Sequence, residues 1–166
     1  MTTQVEPENH SEVLVVKVTN QAMLEQAYAV RLEVFVNEQD VPLEEELDAL
    51  DTDPTTIHVI AVESVNPSGG ALGTARLLPT PGQPTHFHIG RVAVHKSARG
   101  RDVGAALMGA LEQVAVSLCA PEPAVIELSA QIQASGFYRK LGYEQHREEQ
   151  YLDAGIWHVD MVKTLS

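Results

Sequence analysis

A four-turn apolar stripe in the middle of the chain restricts the folds open to it. Val103, Ala106, Leu107, Ala110, Leu111, Val114 and Leu118 recur at the spacing of one helical face. A helix of that kind must bury its stripe against a second layer, and the apolar run Ile89 to Val94 just upstream supplies a strand for it. Between the two lies Arg99-Gly100-Arg101-Asp102-Val103-Gly104-Ala105. A basic, glycine-containing loop that leads from strand to helix offers an anion the free N–H groups and positive dipole end of the first turn. Glycine lets the backbone come close, and Arg99 and Arg101 add formal charge. Taken alone, the loop reads equally well as a solvated surface turn.

The flanking segments order the rest of the chain. Val13 to Val18 reads as a β-branched strand, Thr19-Asn20 as a cap, and Met23, Ala27, Val30 and Val34 as one face of a helix. Val41 to Asp53 is loop or short helix. His58 to Val62 is a strand, Asn66 to Gly70 a turn, and Leu72 to Leu78 a returning strand. Pro79, Pro81, Gly82 and Pro84 interrupt the chain before the strand from Phe87 to Val94. These strands follow one another without a helix, which predicts antiparallel pairing. Pro121 and Pro123 end the long helix. Val125 to Ser129 is a buried-type strand, and a short helix carries Phe137, Tyr138 and Leu141 up to a Gly142 cap. Two closing strands flank the turn Leu152-Asp153-Ala154-Gly155. The order β-α-α-β-β-β-α-β-α-β-β predicts an α/β (α+β) domain with a mixed, mostly antiparallel sheet. Residues 1–12 are expected to be flexible and residues 13–166 to form one domain.

Composition narrows the functional classes. At 166 residues with 44% hydrophobic content the chain can build a substantial core. A net charge of −12 disfavours nucleic acid as a partner and makes the basic loop stand out locally. The lone cysteine, Cys119, falls on the helical pattern and reads as a core residue in a reducing compartment. No leader pattern begins the sequence and no apolar run approaches a membrane span, so a cytoplasmic protein without membrane contact is expected. Gly-x-Gly-x-x-Gly is absent, which argues against a dinucleotide fingerprint. His86 and His88 alternate on one strand face, but without a third ligand no metal is expected.

The strand, the Arg-Gly-x-x-Val-Gly-Ala loop, the long helix, the next strand and Gly136-Phe137-Tyr138-Arg139-Lys140-Leu141-Gly142-Tyr143 together resemble the acetyl-CoA core of the GNAT superfamily of N-acetyltransferases. Arg31-Leu32-Glu33-Val34-Phe35-Val36-Asn37-Glu38-Gln39-Asp40-Val41-Pro42, the acidic stretch to Asp51, and Leu152 to His158 resemble its ElaA-like branch. The fourth position of the superfamily loop, commonly glycine, is Asp102 here. Asp102 is expected to cap the helix start with its side chain, worth about 1 kcal/mol, and to offer its backbone N–H.

The resemblance implies an acetyl-CoA-dependent N-acetyltransferase acting on a primary amine of a small molecule or a lysine side chain, by direct attack on the thioester. Coenzyme A would lie between the strand ending at Val94 and the strand from Val125. Its pantetheine would pair with Val92, Ala93 and Val94, and its pyrophosphate would rest on Arg99, Gly100, Arg101, Asp102, Val103, Gly104 and Ala105. Ser135 and Phe137 are further candidate contacts, with Phe137 expected on the buried face of its helix and Tyr138 turned away from it. Tyr138 matches the family's general acid. A protonated amine also needs a base, and Glu44, Glu46 and His158 are candidates for that role or for holding the acceptor, with Asp48 and His58 behind them. The acidic run favours a cationic acceptor. Transfer of a longer acyl chain stays open. The alternative is a non-catalytic acyl-CoA sensor, and a homodimer is allowed.

Overall fold

The computed structural model describes residues 12–166. The expectation for residues 1–11 therefore lies outside the described residues. A seven-stranded sheet runs in the order β1-β2-β3-β4-β5-β7-β6. Its strands are β1 (Val13–Lys17), β2 (Ile57–Glu63), β3 (Gly73–Thr80), β4 (Gln83–Val94), β5 (Ala124–Gln131), β6 (Glu144–Asp153) and β7 (Ile156–Leu165). Every pairing is antiparallel except β4 with β5. The element order is the one the periodicities predict, a mixed α/β sheet flanked by helices. Among the described residues no helix is long and apolar enough to cross a membrane.

The helix α3 (Val103–Cys119) packs on one face of the sheet. Its buried residues are Val103, Leu107, Met108, Leu111, Ala115 and Cys119, joined there by Phe87, Ile89, Ile126 and Leu128 from β4 and β5. The buried line is rotated relative to the expected stripe. Met108 and Ala115 lie inside, whereas Ala106 and Leu118 face out, Leu118 being 62% exposed. Apolar residues border the stripe on both sides, so periodicity alone does not say which edge turns inward. Cys119 is buried, as expected of a core residue.

On the opposite face, α1 (Gln21–Arg31) starts where the Asn20 side chain accepts the Met23 N–H at 2.9 Å. Ala27 and Val30 go down onto the sheet. From Leu32 to Glu38 the helix widens into a π-helical segment, a local form that often marks functional sites. It is followed by α2 (Leu43–Glu46) and a 3₁₀ turn at Ala49–Thr52.

The prolines expected to interrupt the middle strands do not do so. Pro79 pairs with Phe87 inside a continuous β3–β4 hairpin that turns at Pro81-Gly82, where Gly82 has φ +75°. The reason is local. The β2 pairing ends at Leu77 and the β5 pairing begins at His86, so neither Pro79 nor Pro84 must donate to a second neighbour. Near its end β4 carries a bulge. Thr74 pairs with Ala93 but Arg76 with Gly90, and Arg91 takes φ +53°.

Candidate active site

The parallel β4–β5 ladder has three rungs, His86↔Val125, Phe87↔Ile126 and His88↔Glu127. Past His88 the strands part. The β5-facing edge of Ile89 to Val94 then carries no strand partner among the described residues. The bulge at Arg91 bends β4 away, because an extra residue on one strand increases local twist. A cavity of about 680 Å³ fills the fork, within the usual range for small-ligand sites. Val92, Ala93 and Val94 form one wall, Ser129, Gln131, Ala134 and Tyr138 the other. The π-helical segment contributes Val34, Phe35 and Glu38, and the β6–β7 hairpin contributes Asp153, Ile156 and His158.

At one end of the fork, β4 runs through the short 3₁₀ turn Lys96–Ala98 into the loop and α3. Gly100 and Asp102 both adopt positive φ, +84° and +58°. Ala106 makes the first helical hydrogen bond, to the Asp102 carbonyl at 3.1 Å, so the N–H groups of Val103, Gly104 and Ala105 have no helical acceptor. Asp102 occupies the cap position, but its side chain makes no capping bond, contrary to expectation. A left-handed backbone is not the extended one from which a capping carboxylate reaches the first turn. Arg99 lines the cavity and donates to Glu38 at 2.7 Å. Arg101 forks onto Glu63 instead and does not line the cavity. Val103 is buried in the core.

The aromatic pair reverses the expected assignment. Tyr138, on α4 (Ser135–Lys140), is the buried partner, and Phe137 is 36% exposed. Their rings meet edge to face at 5.0 Å, and Tyr138 does the same with Tyr143 at 6.1 Å. Phe137 turns instead toward the first turn of α3, where a Cβ added to Gly104 would stand 3.0 Å from its ring. Burial pushes the Tyr138 hydroxyl up to about 12, so it keeps its proton throughout the neutral range. Ser135 caps the preceding turn by donating to the Ile132 carbonyl at 2.8 Å and lies off the cavity.

The candidate bases separate clearly. Glu44 is exposed and lies off the cavity. Glu46 lines it but is enclosed in an ionic cluster. Arg31 Nε reaches Glu46 at 2.9 Å and Arg31 Nη1 reaches Asp51 at 2.7 Å, while Arg76 Nη1 bonds Asp48 and Asp51, each at 2.8 Å. Arg91 approaches Glu46 at 3.3 Å and Asp48 at 3.4 Å. Burial raises the Glu46 pKa against the pull of these arginines. Glu46, Asp48 and Asp51 are thus paired with Arg31, Arg76 and Arg91, whereas Glu44, Glu45 and Asp53 stay exposed. Sequence periodicity gave no sign of this pairing, because the arginines come from three separate elements. His58 is buried with Nε2 3.0 Å from the Asp51 carbonyl, away from the cavity. His158 does line the cavity. Its Nδ1 sits 2.7 Å from the Ile156 carbonyl, to which it donates, and Nε2 is the ring nitrogen left for other partners. Its ring stacks on Tyr151 at 6.0 Å, and Tyr151 is pinned by Ser129 and by Asp160 at 2.6 Å.

Comparison with known proteins agrees with this architecture. A family model described as an acetyltransferase (GNAT) domain matches residues 15–165. The N-acetyltransferase YjcF of Bacillus subtilis, itself uncharacterized, is 39% identical over 144 residues, covering 87% of this chain and 94% of the relative. An acyl-CoA N-acyltransferase from Pseudomonas aeruginosa superposes with TM-score 0.77 at 30% identity, over 92% of this chain and 99% of that one. Escherichia coli ElaA shares the fold at TM-score 0.77 and 24% identity, over 92% and 99% of the two chains. A fork in a mixed sheet, a helix start at its end and a family match across nearly all described residues lead to one conclusion: this chain belongs to the GNAT acetyltransferase family.

Proposed function

We propose that the chain transfers an acetyl group from acetyl-CoA to a primary amine. The fork between β4 and β5 carries the reading, because its free β4 edge lies beside a buried, protonated tyrosine. Val92 to Val94 would accept pantetheine as an added strand, and the amides from Gly100 to Ala105 would hold the pyrophosphate with Arg99 beside them. Phe137 would cover the cofactor where it passes Gly104, with Ser135 behind it.

In the transfer the amine nitrogen bonds the thioester carbonyl carbon, the C–S bond breaks, and sulfur needs a proton. Tyr138 supplies it. The burial that raises the tyrosine pKa also raises that of a thiol in the same site, so the two stay close enough for a shared proton. His158 and Asp153, both from the β6–β7 hairpin, line the cavity and serve to hold the acceptor there. With Glu46, Asp48 and Asp51 held by arginines, recognition of the acceptor rests on His158 and Asp153 rather than on those three carboxylates.

The experiment is thiol release from acetyl-CoA with spermidine, glucosamine and Nα-blocked lysine as acceptors, repeated for Tyr138→Phe. The variant should lose about 10²-fold or more in kcat while its acetyl-CoA affinity stays within twofold. Cofactor binding without thiol release from any amine would instead mark a sensor.

A further inference from the structure

His88 stands at the last rung of the β4–β5 ladder, where the fork opens. It lines the main cavity and also a second cavity of about 60 Å³ behind it, walled by Glu127, Leu128, His146, Arg147, Asp160 and Met161. That volume admits water, and Glu127, His146, Arg147 and Asp160 among its lining residues offer polar partners in a wall that is otherwise apolar. His88 is therefore the residue that the fork and the small chamber share. Four described histidine rings are tied to neighbours, His58 to the Asp51 carbonyl, His158 to the Ile156 carbonyl, His95 to Ser97 and His86 to Thr85, and His146 in the chamber wall is not. No hydrogen bond from a described residue engages the His88 ring.

We propose that His88 is the base of the reaction and that the chamber behind it carries the proton away. The inference rests on the acetyltransferase reading of the same cavity. Over the reaction an alkylammonium gives up two protons as its nitrogen bonds carbon and the C–S bond breaks. One ends on sulfur by way of Tyr138, and the other must reach solvent. His88 takes that proton on the nitrogen facing the fork and releases one from the other nitrogen toward Glu127 and Asp160. The groups facing the ring are Glu127 on β5 and Asp160 on β7, which favour its charged form, and Arg76 on β3, which opposes it. His146 and Arg147 on β6 close the chamber, while Arg91, farther along β4, and Tyr138 on α4 line the main cavity with the ring. Burial outweighs the two carboxylates and lowers the His88 pKa, so the ring is neutral and able to accept at neutral pH.

The test uses full-length protein with acetyl-CoA and the amine of the three-member panel that releases thiol fastest. In His88→Gln, acetyl-CoA affinity by calorimetry should stay within twofold, kcat should fall about 10²-fold or more, and the acid limb of the kcat/KM profile should vanish. Added imidazole should restore rate to His88→Ala, which a purely structural defect would not allow. Glu127→Gln should move the acid limb to lower pH, since it removes a charge that stabilises the imidazolium. A His88→Gln enzyme within threefold of the parent and with its acid limb intact overturns the assignment and leaves the acetyltransferase reading standing. An impaired His88→Ala that imidazole fails to restore overturns it too. A parent protein that binds no acetyl-CoA overturns both.

Discussion

Asp51 illustrates how a single buried carboxylate is set by its neighbours. Burial alone would raise its pKa. Hydrogen bonds from Arg31 and from the Asp48 N–H, with the charges of Arg31 and Arg76, outweigh that and hold it at about 2. A carboxylate depressed in the folded state adds stability above its unfolded pKa, near 4, and that stability drains as pH falls through about 2. The amount is about 2 kcal/mol. Urea unfolding at pH 5 and pH 2 should therefore show the parent losing about 2 kcal/mol more than Asp51→Asn. At pH 5 the substitution itself should cost about 3–5 kcal/mol, because it leaves Arg31 and Arg76 under-compensated in the interior. The arginine partners were not legible in the sequence. Arg31, Arg76 and Arg91 lie far from the acidic run along the chain, and only β3–β4 pairing and the last turn of α1 bring them onto it. Tyr138 was legible as a candidate acid from its motif, but its burial was not. Adjacent helical positions diverge by about 100°, and nothing local says which of two aromatics points inward.

At the scale of elements, the sheet and α3 were readable because their apolar repeats are long and their ends are marked by glycine, proline or asparagine. The fork was not. Its cause is a bulge at Arg91, and a non-glycine residue at positive φ leaves no mark in the sequence. The resemblance to a known family supplied the splay before any geometry did. Gly73 shows how tightly the bulged region is built. A Cβ there would meet the Ala93 carbonyl oxygen at 2.9 Å and the Leu107 and Val103 side chains at 3.0 Å. Two walls are core side chains, and the third is backbone that cannot rotate aside. Gly73→Ala should thus cost about 1–3 kcal/mol, read as a lower urea midpoint with unchanged slope. It should also weaken acetyl-CoA binding, because Ala93 would be pushed toward the fork.

For the whole molecule, a ligand in the fork joins β4 and β5 beyond their last rung to α4 and the π-helical segment, which touch those strands only lightly. Binding to the folded state alone stabilises by mass action, about 2.7 kcal/mol at a hundredfold excess over Kd. For a chain of this length that corresponds to a rise of about 5–10 °C in the thermal midpoint. Differential scanning fluorimetry with acetyl-CoA should show it, and Gly104→Val, which crowds Phe137 at the helix start, should diminish it.

The three-rung ladder carries a mechanical consequence. Val13 belongs to one half of the sheet and Leu165 to the other, so tension applied between them crosses the rungs from His86 to His88. A load along that line would have to break those few backbone bonds together with the packing of α3 across both halves. An acyl carrier laid along both lips of the tear line would act as a rivet, coupling occupancy to resistance against rupture.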